Sequence, residues 1–244
     1  MKQMSPSDLY LHATINRYRL APAPCPLVPR LRGLLEPCLG RDLESVTLSG
    51  SRARGTALRD SDVDLFLSLA PSVSLKSIHA ELVQRCRDYL PQPRNVSVRI
   101  TFEGSIIDLV PGRRRPDSTA HTLWQLRYDT WLQTDIAEQT RYIRSSGLSD
   151  EILALKIWRR RHALRFPSFL LELAAIRALA PGHDISKNFL SLLEFLAADF
   201  PSVRLLDPAN SNNVVSDSLT LDEKLRIATA AAMSLRSPSW SGIF

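Results

Sequence analysis

Lysine is scarce in this chain, with 5 residues against 26 arginines among 244. Glycine is scarce too, at 9 residues, and only 23% of the chain is charged while 44% is hydrophobic. That balance excludes a disordered, highly charged chain and leaves enough apolar surface for one large or two small folded domains. The three cysteines, Cys25, Cys38 and Cys86, are odd in number and stand at no metal-ligating spacing. They exclude a disulfide framework and a zinc finger, and read as free thiols in a reducing cytoplasm. No apolar run is long enough to span a bilayer, and the polar start, MKQMSPSDLY, has no apolar signal-peptide core. The expectation is a cytoplasmic protein with no membrane partner.

What the chain has in excess is arginine, with a formal net charge of +6. A guanidinium is always charged and grips phosphate in a bidentate fork. The excess fits a nucleotide or nucleic-acid partner; a GC-rich genome that favours arginine codons explains it equally well.

The chain is organised around Leu48–Leu69, LSGSRARGTALRDSDVDLFLSL. A β-rich run, Val46-Thr47-Leu48, leads into Gly50-Ser51, then Gly55-Thr56, then a strand from Val63 to Leu69 with Asp62 and Asp64 at its start. Residues two apart on a strand share a face, so the two carboxylates project together while Val63 and Leu65 turn into a core. Adjacent carboxylates repel unless a cation sits between them. Gly50 permits close backbone approach to a ligand, and Ser51 opens a short helical stretch whose N–H groups suit phosphate oxygens. A third carboxylate, Asp108, lies inside the apolar strand Ser105–Pro111, SIIDLVP, where an unpaired charge is costly and a metal is the natural partner.

Periodicity predicts helices over Pro6–Arg19, Leu27–Leu39 and Ser74–Leu90, and a hairpin of Asn95–Thr101 with Ser105–Val110 turning at Glu103-Gly104. Past Pro111 a charged link, Arg113-Arg114-Arg115-Pro116, leads to a second half with few strand signals. Helices are expected there at Leu123–Trp131, Asp135–Ser145, Ser149–Ala163, Pro167–Leu179, Ser186–Asp199 and Leu221–Leu235, with a polar loop at Leu205–Val215. The expected division is 1–116 and 117–244. In LALKIWRRR, Lys156 stands among Leu153, Leu155, Ile157 and Trp158 and needs an anion, while Arg159, Arg160 and Arg161 read as a solvated basic face. Ser168 and Glu172 follow on the next helix. Trp124, Tyr128 and Trp131 read as helix core in preference to a base-stacking platform.

The G-S, G-T and S-D-V-D-L series with a third Asp resembles the signature of the polymerase-β-like nucleotidyltransferases. LKIW followed by PSFLLEL, the segment LLDPANSNNVV and Trp240 resemble the branch that holds the oligoadenylate synthetases. Ser211 stands where those enzymes carry a second proline. Taken together, from Val46 to Trp240, the chain looks most like a bacterial cGAS/DncV-like nucleotidyltransferase (CD-NTase), although shorter. The resemblance implies an α+β fold: a mixed-sheet nucleotidyltransferase core followed by a C-terminal helical domain. It implies two Mg²⁺ ions, replaceable by Mn²⁺, on Asp62, Asp64 and Asp108, with Asp108 helping to deprotonate the attacking hydroxyl. Gly50 and Ser51 would bind the donor triphosphate, and Lys156 and Ser168 would contact the nucleotide from the helical side. The implied activity joins NTPs into a cyclic or short linear oligonucleotide messenger in antiphage defence. Its downstream effector would be bound through the product, with nucleic acid not required. Transfer to an RNA end or a protein hydroxyl, and nucleotide binding without catalysis, stand as the alternatives.

Overall fold

A computed structural model describes residues 4–244; the first three residues of the polar start, Met1–Gln3, lie outside the described residues. In chain order the elements are α1 (Pro6–Tyr18), α2 (Leu27–Leu39), β1 (Leu43–Leu48), α3 (Gly50–Arg54), β2 (Val63–Leu69), α4 (Leu75–Arg85), β3 (Gln92–Pro93), β4 (Val98–Phe102) and β5 (Ser105–Arg114). There follow β6 (His121–Gln125), β7 (Thr130–Thr134), α5 (Ile136–Ser145), α6 (Ser149–Arg161), α7 (Ser168–Ala178), α8 (Ile185–Ala198), β8 (Leu206–Asp207), β9 (Asn210–Val214), α9 (Leu221–Leu235) and α10 (Trp240–Ile243). Among the described residues no helix is long and apolar enough to cross a membrane. The fold is α+β, as the sequence implied.

Strand β2 is apolar on both faces, with Val63, Leu65, Phe66, Leu67 and Leu69 all buried, so it can only be an inner strand. It pairs antiparallel with β1 on one side and parallel with β5 on the other. The sheet continues through β4 to β3, while the far end of β5 pairs with β6 and β6 with β7. The β4–β5 turn is two residues long, Glu103 and Gly104, both at positive φ (50° and 74°). That is the twist a tight hairpin needs, and it fixes the register Phe102↔Ser105 through Arg99↔Asp108.

The chain divides into two compact units. One holds Pro22–Arg54 and Asp60–Thr140 and contains the sheet; the other holds the residues up to Ala21, Gly55–Arg59 and Arg141–Phe244 and is mostly helical. The sheet unit has its own core, in which Leu31, Leu35 and Leu39 of α2 and Ile78 and Leu82 of α4 pack with Leu65, Leu67, Val98, Ile100 and Leu109. The helical unit buries Trp158, Phe166, Phe189 and Phe200 among aliphatic side chains of α1 and α6 to α9.

Two expectations are corrected. Leu123–Trp131 is not a helix: it spans the β6–β7 hairpin, with Trp124 directly opposite Trp131. The Trp124 ring packs edge-on against His79 at 5.3 Å between centroids, and its Nε1 donates to Asp129 Oδ1 in the turn at 2.9 Å. Trp124 and Trp131 are therefore sheet residues rather than helix core, and Trp131 remains exposed. Nor are Arg113 and Arg114 a linker: they end β5, Arg113 lying over the Trp131 ring and Arg114 donating to Glu44. The Leu205–Val215 loop contains the small hairpin β8–β9, in which buried Asp207 accepts from Ala209 N at 2.9 Å and Asn213 Nδ2 at 3.1 Å.

Candidate active site

Because β2 and β5 run parallel and in register, Asp64 lies directly beside Asp108. Asp62 immediately precedes β2 and comes to the same face. Their neighbours Val63, Leu65, Ile107 and Leu109 are essentially fully buried on the opposite face, which holds the alternation in place. The sheet thus brings together the three carboxylates marked in the sequence. The start of β2 is clamped by Arg52, whose Nη2 donates to Ser61 O at 2.7 Å and whose Nε donates to Asp62 O at 3.2 Å.

Gly50 closes over this face. Its φ is +62°, and a Cβ there would lie 1.8 Å from Asp64 Oδ2. The Ser49 amide donates to Asp64 O at 2.8 Å, so the turn cannot back away without losing a backbone bond. Ser51 is buried in the five-residue helix α3. Gly50→Ala is therefore expected to drive Asp64 off its position and lower activity about a hundredfold, as small misplacements at a reacting centre do. Steady-state kinetics alongside circular dichroism checks this, since a fully active Gly50→Ala protein would contradict it.

A residue the sequence reading did not single out completes the site. Arg99 on β4 faces Asp108, and its Nη2 donates to both Asp62 Oδ2 and Asp108 Oδ2 at 2.6 Å, while Nε donates to Asp108 Oδ1 at 3.1 Å. The hydrogen bonds to Asp108, against a smaller cost of burial, raise the Arg99 pKa further. The signal was present: a two-residue turn at Glu103-Gly104 pairs position 99 with position 108, and Arg99 is the polar residue between inward-facing Val98 and Ile100.

Asp64 is left without such a partner. Burial first, then the neighbouring Asp108 carboxylate and more weakly Asp62, push its pKa up to about 6, against the pull of Arg54 and Arg99. Among the described residues no three such side chains converge as a ready-made metal cage. The donor set nevertheless fits Mg²⁺ or Mn²⁺: it consists of hard carboxylate oxygens, and a guanidinium stands in as a cation between two of them.

Lys156 and Ser168 belong to the helical unit. Lys156 is 2% exposed, and its ammonium reaches Glu172 Oε1 at 2.7 Å, Thr56 O at 2.8 Å and Thr56 Oγ1 at 3.1 Å. Thr56 Oγ1 donates to the same Glu172 oxygen at 2.5 Å. The anion its apolar setting demands is thus Glu172, fully buried within the chain. Ser168 opens α7, and its Oγ accepts from Arg159 Nη1 at 3.2 Å, a guanidinium that also donates to Phe166 O at 2.6 Å. Arg159 is accordingly not on the solvated face, whereas Arg160 and Arg161 are exposed.

Residues 32–114, which carry all three carboxylates and the Gly50 turn, match the family described as nucleotidyltransferase domain. The solved structures to which the whole chain is similar include bacterial CD-NTases. CdnG of Bradyrhizobium diazoefficiens, in complex with GTP, is 15% identical with a TM-score of 0.72, over 95% of this chain and 91% of that one. CdnC of E. coli MS115-1 with ATP is 20% identical with a TM-score of 0.68, over 95% and 87%. The Cid1 poly(U) polymerase bound to MgATP is as similar, at 14% identity and a TM-score of 0.70 over 97% and 98%. At these identities the likeness is one of fold, and in fold the chain resembles the CD-NTases as its sequence motifs do. No curated protein matches the chain in sequence.

Proposed function

We propose that this protein is a metal-dependent nucleotidyltransferase that joins NTPs into a cyclic or short linear oligonucleotide. One observation carries the proposal: Asp64 and Asp108 lie side by side on parallel strands, with Asp62 on their face and Gly50 closing over Asp64. Asp62, Asp64 and Asp108 would hold two Mg²⁺ ions, which when bound lower the pKa of the attacking hydroxyl and neutralise charge on the phosphates. The Gly50-Ser51 backbone faces the triphosphate of the donor. A hydroxyl of the acceptor nucleotide gives its proton to a carboxylate of the triad, Asp108 foremost. Its oxygen then bonds to the α-phosphorus as the bond to pyrophosphate breaks. A direct part for Lys156 or Ser168 in holding the nucleotide rests on the resemblance alone, as do the role in antiphage defence and an effector bound through the product.

A second reading, transfer of nucleotides to an RNA end, draws on the likeness to Cid1. Labelled ATP, GTP, CTP and UTP with Mg²⁺ separate the two. The first reading expects a phosphatase-resistant product from NTPs alone. Label that appears only in added RNA would replace it with the second.

A further inference from the structure

We propose that Arg99 is a built-in counter-ion of the carboxylate triad, one that competes with divalent cations for Asp62 and Asp108 and sets how tightly the site takes them. The inference rests on the reading of the triad as a metal site.

Arg99 is placed for this by the backbone. The Glu103-Gly104 turn fixes the β4–β5 register, the register sets Arg99 opposite Asp108, and β5 in turn sets Asp108 beside Asp64. One guanidinium nitrogen, Nη2, is shared by Asp62 Oδ2 and Asp108 Oδ2 at equal distances of 2.6 Å. These oxygens belong to the carboxylates that would hold the metal, and a guanidinium and a divalent ion cannot both lie against them without strong repulsion at that range. The side chain of Arg99 is 28% exposed, against 13% for Asp108, so it has solvent to move into on a long flexible stem while the carboxylate stays put.

The thermodynamic consequence follows from linkage. The free energy that holds Arg99 on the carboxylates in the metal-free protein must be given up when metal binds, and it is subtracted from metal affinity. Arg99 also relieves the repulsion among three crowded carboxylates, so the metal-free protein depends on it for stability. Removing the guanidinium should therefore weaken the empty protein and strengthen its hold on metal. A purely structural arginine would produce only the first effect.

The test is calorimetric titration of Mn²⁺ into the full-length protein, without nucleotide, together with thermal melts. Arg99→Met is expected to bind Mn²⁺ about tenfold more tightly than the native protein. Its Tm is expected to be lower without metal, the gap closing at saturating Mn²⁺. Arg99→Lys keeps the charge but has no fork to hold two carboxylates, and should fall between them; it also serves if Arg99→Met does not fold. Equal or weaker Mn²⁺ binding by both variants, with the native protein binding normally, overturns the role of Arg99 and leaves the metal site standing. No Mn²⁺ binding by native and variant proteins alike, indistinguishable from Asp62→Asn/Asp108→Asn, overturns the metal reading and the inference with it.

Discussion

Asp64→Asn is expected to reduce nucleotide transfer about a thousandfold or more while leaving the protein folded. Asparagine keeps the shape that fits beneath Gly50 but removes a charge from the centre of the triad. Loss of one preorganised electrostatic contact to a reacting group costs about a hundred- to a thousandfold, and a carboxylate that holds metal sits at or above the top of that range. The same substitution should not lower stability. Asp64 titrates at about 6 in the folded protein against an ordinary 3.8. Its ionised form is thus disfavoured by folding: the cost is fully present above pH 6 and vanishes below the ordinary value. Asn carries no such cost, so at pH 7.5 and without divalent ions the variant's Tm should equal or exceed the native one. A thermal melt and a transfer assay on the same preparation check both halves. A large loss of Tm would mean that Asp64 holds the fold rather than the chemistry.

The second large effect lies in the helical unit. Glu172→Gln or Lys156→Met strands the other member of a pair that is 0% and 2% exposed. Breaking a buried pair from one side costs about 3–5 kcal/mol, because the remaining charge has no water to turn to. Each single variant should shift the urea midpoint accordingly. The double variant Lys156→Met/Glu172→Leu, which removes both members of the pair, should recover part of the loss, the Arg159 guanidinium still losing the nearby Glu172 carboxylate. Lys156→Met also removes the ammonium that donates to Thr56 O and Oγ1, so Gly55–Arg59, which belongs to this unit, should become more accessible to protease in that variant. If the double variant is no better than the singles, the cluster matters for its hydrogen bonds to Thr56 rather than for its charge balance.

Both features were partly legible in the sequence, for different physical reasons. Period-two alternation in SDVDLFLSL, a local property, puts Asp62 and Asp64 on one face before the strand is placed, whereas Asp108, in the evenly apolar SIIDLVP, joins them only through the family resemblance. The helices of the second half were set by apolar spacing and end signals, and α2 and α9 fall at the expected residues. What failed was non-local. Leu123–Trp131 carries enough apolar residues to pass for one helix, and only the Trp124–Trp131 pairing turns it into two strands. The demand of Lys156 for an anion was readable, but that Glu172 meets it depends on how α6 and α7 pack. Arg99 lay between these cases: its partner follows from counting across a two-residue turn, a step that requires trusting the turn type before the strands are seen.

The most direct test of the central reading is pyrophosphate release from the four NTPs with Mg²⁺, measured with and without added RNA, for the native protein and for Asp64→Asn. A metal-dependent transferase at the Asp62, Asp64 and Asp108 face releases pyrophosphate in the native protein and about a thousandfold less, or less still, in the variant. Release at equal rates from both proteins, or none from the native protein under either condition, would contradict it.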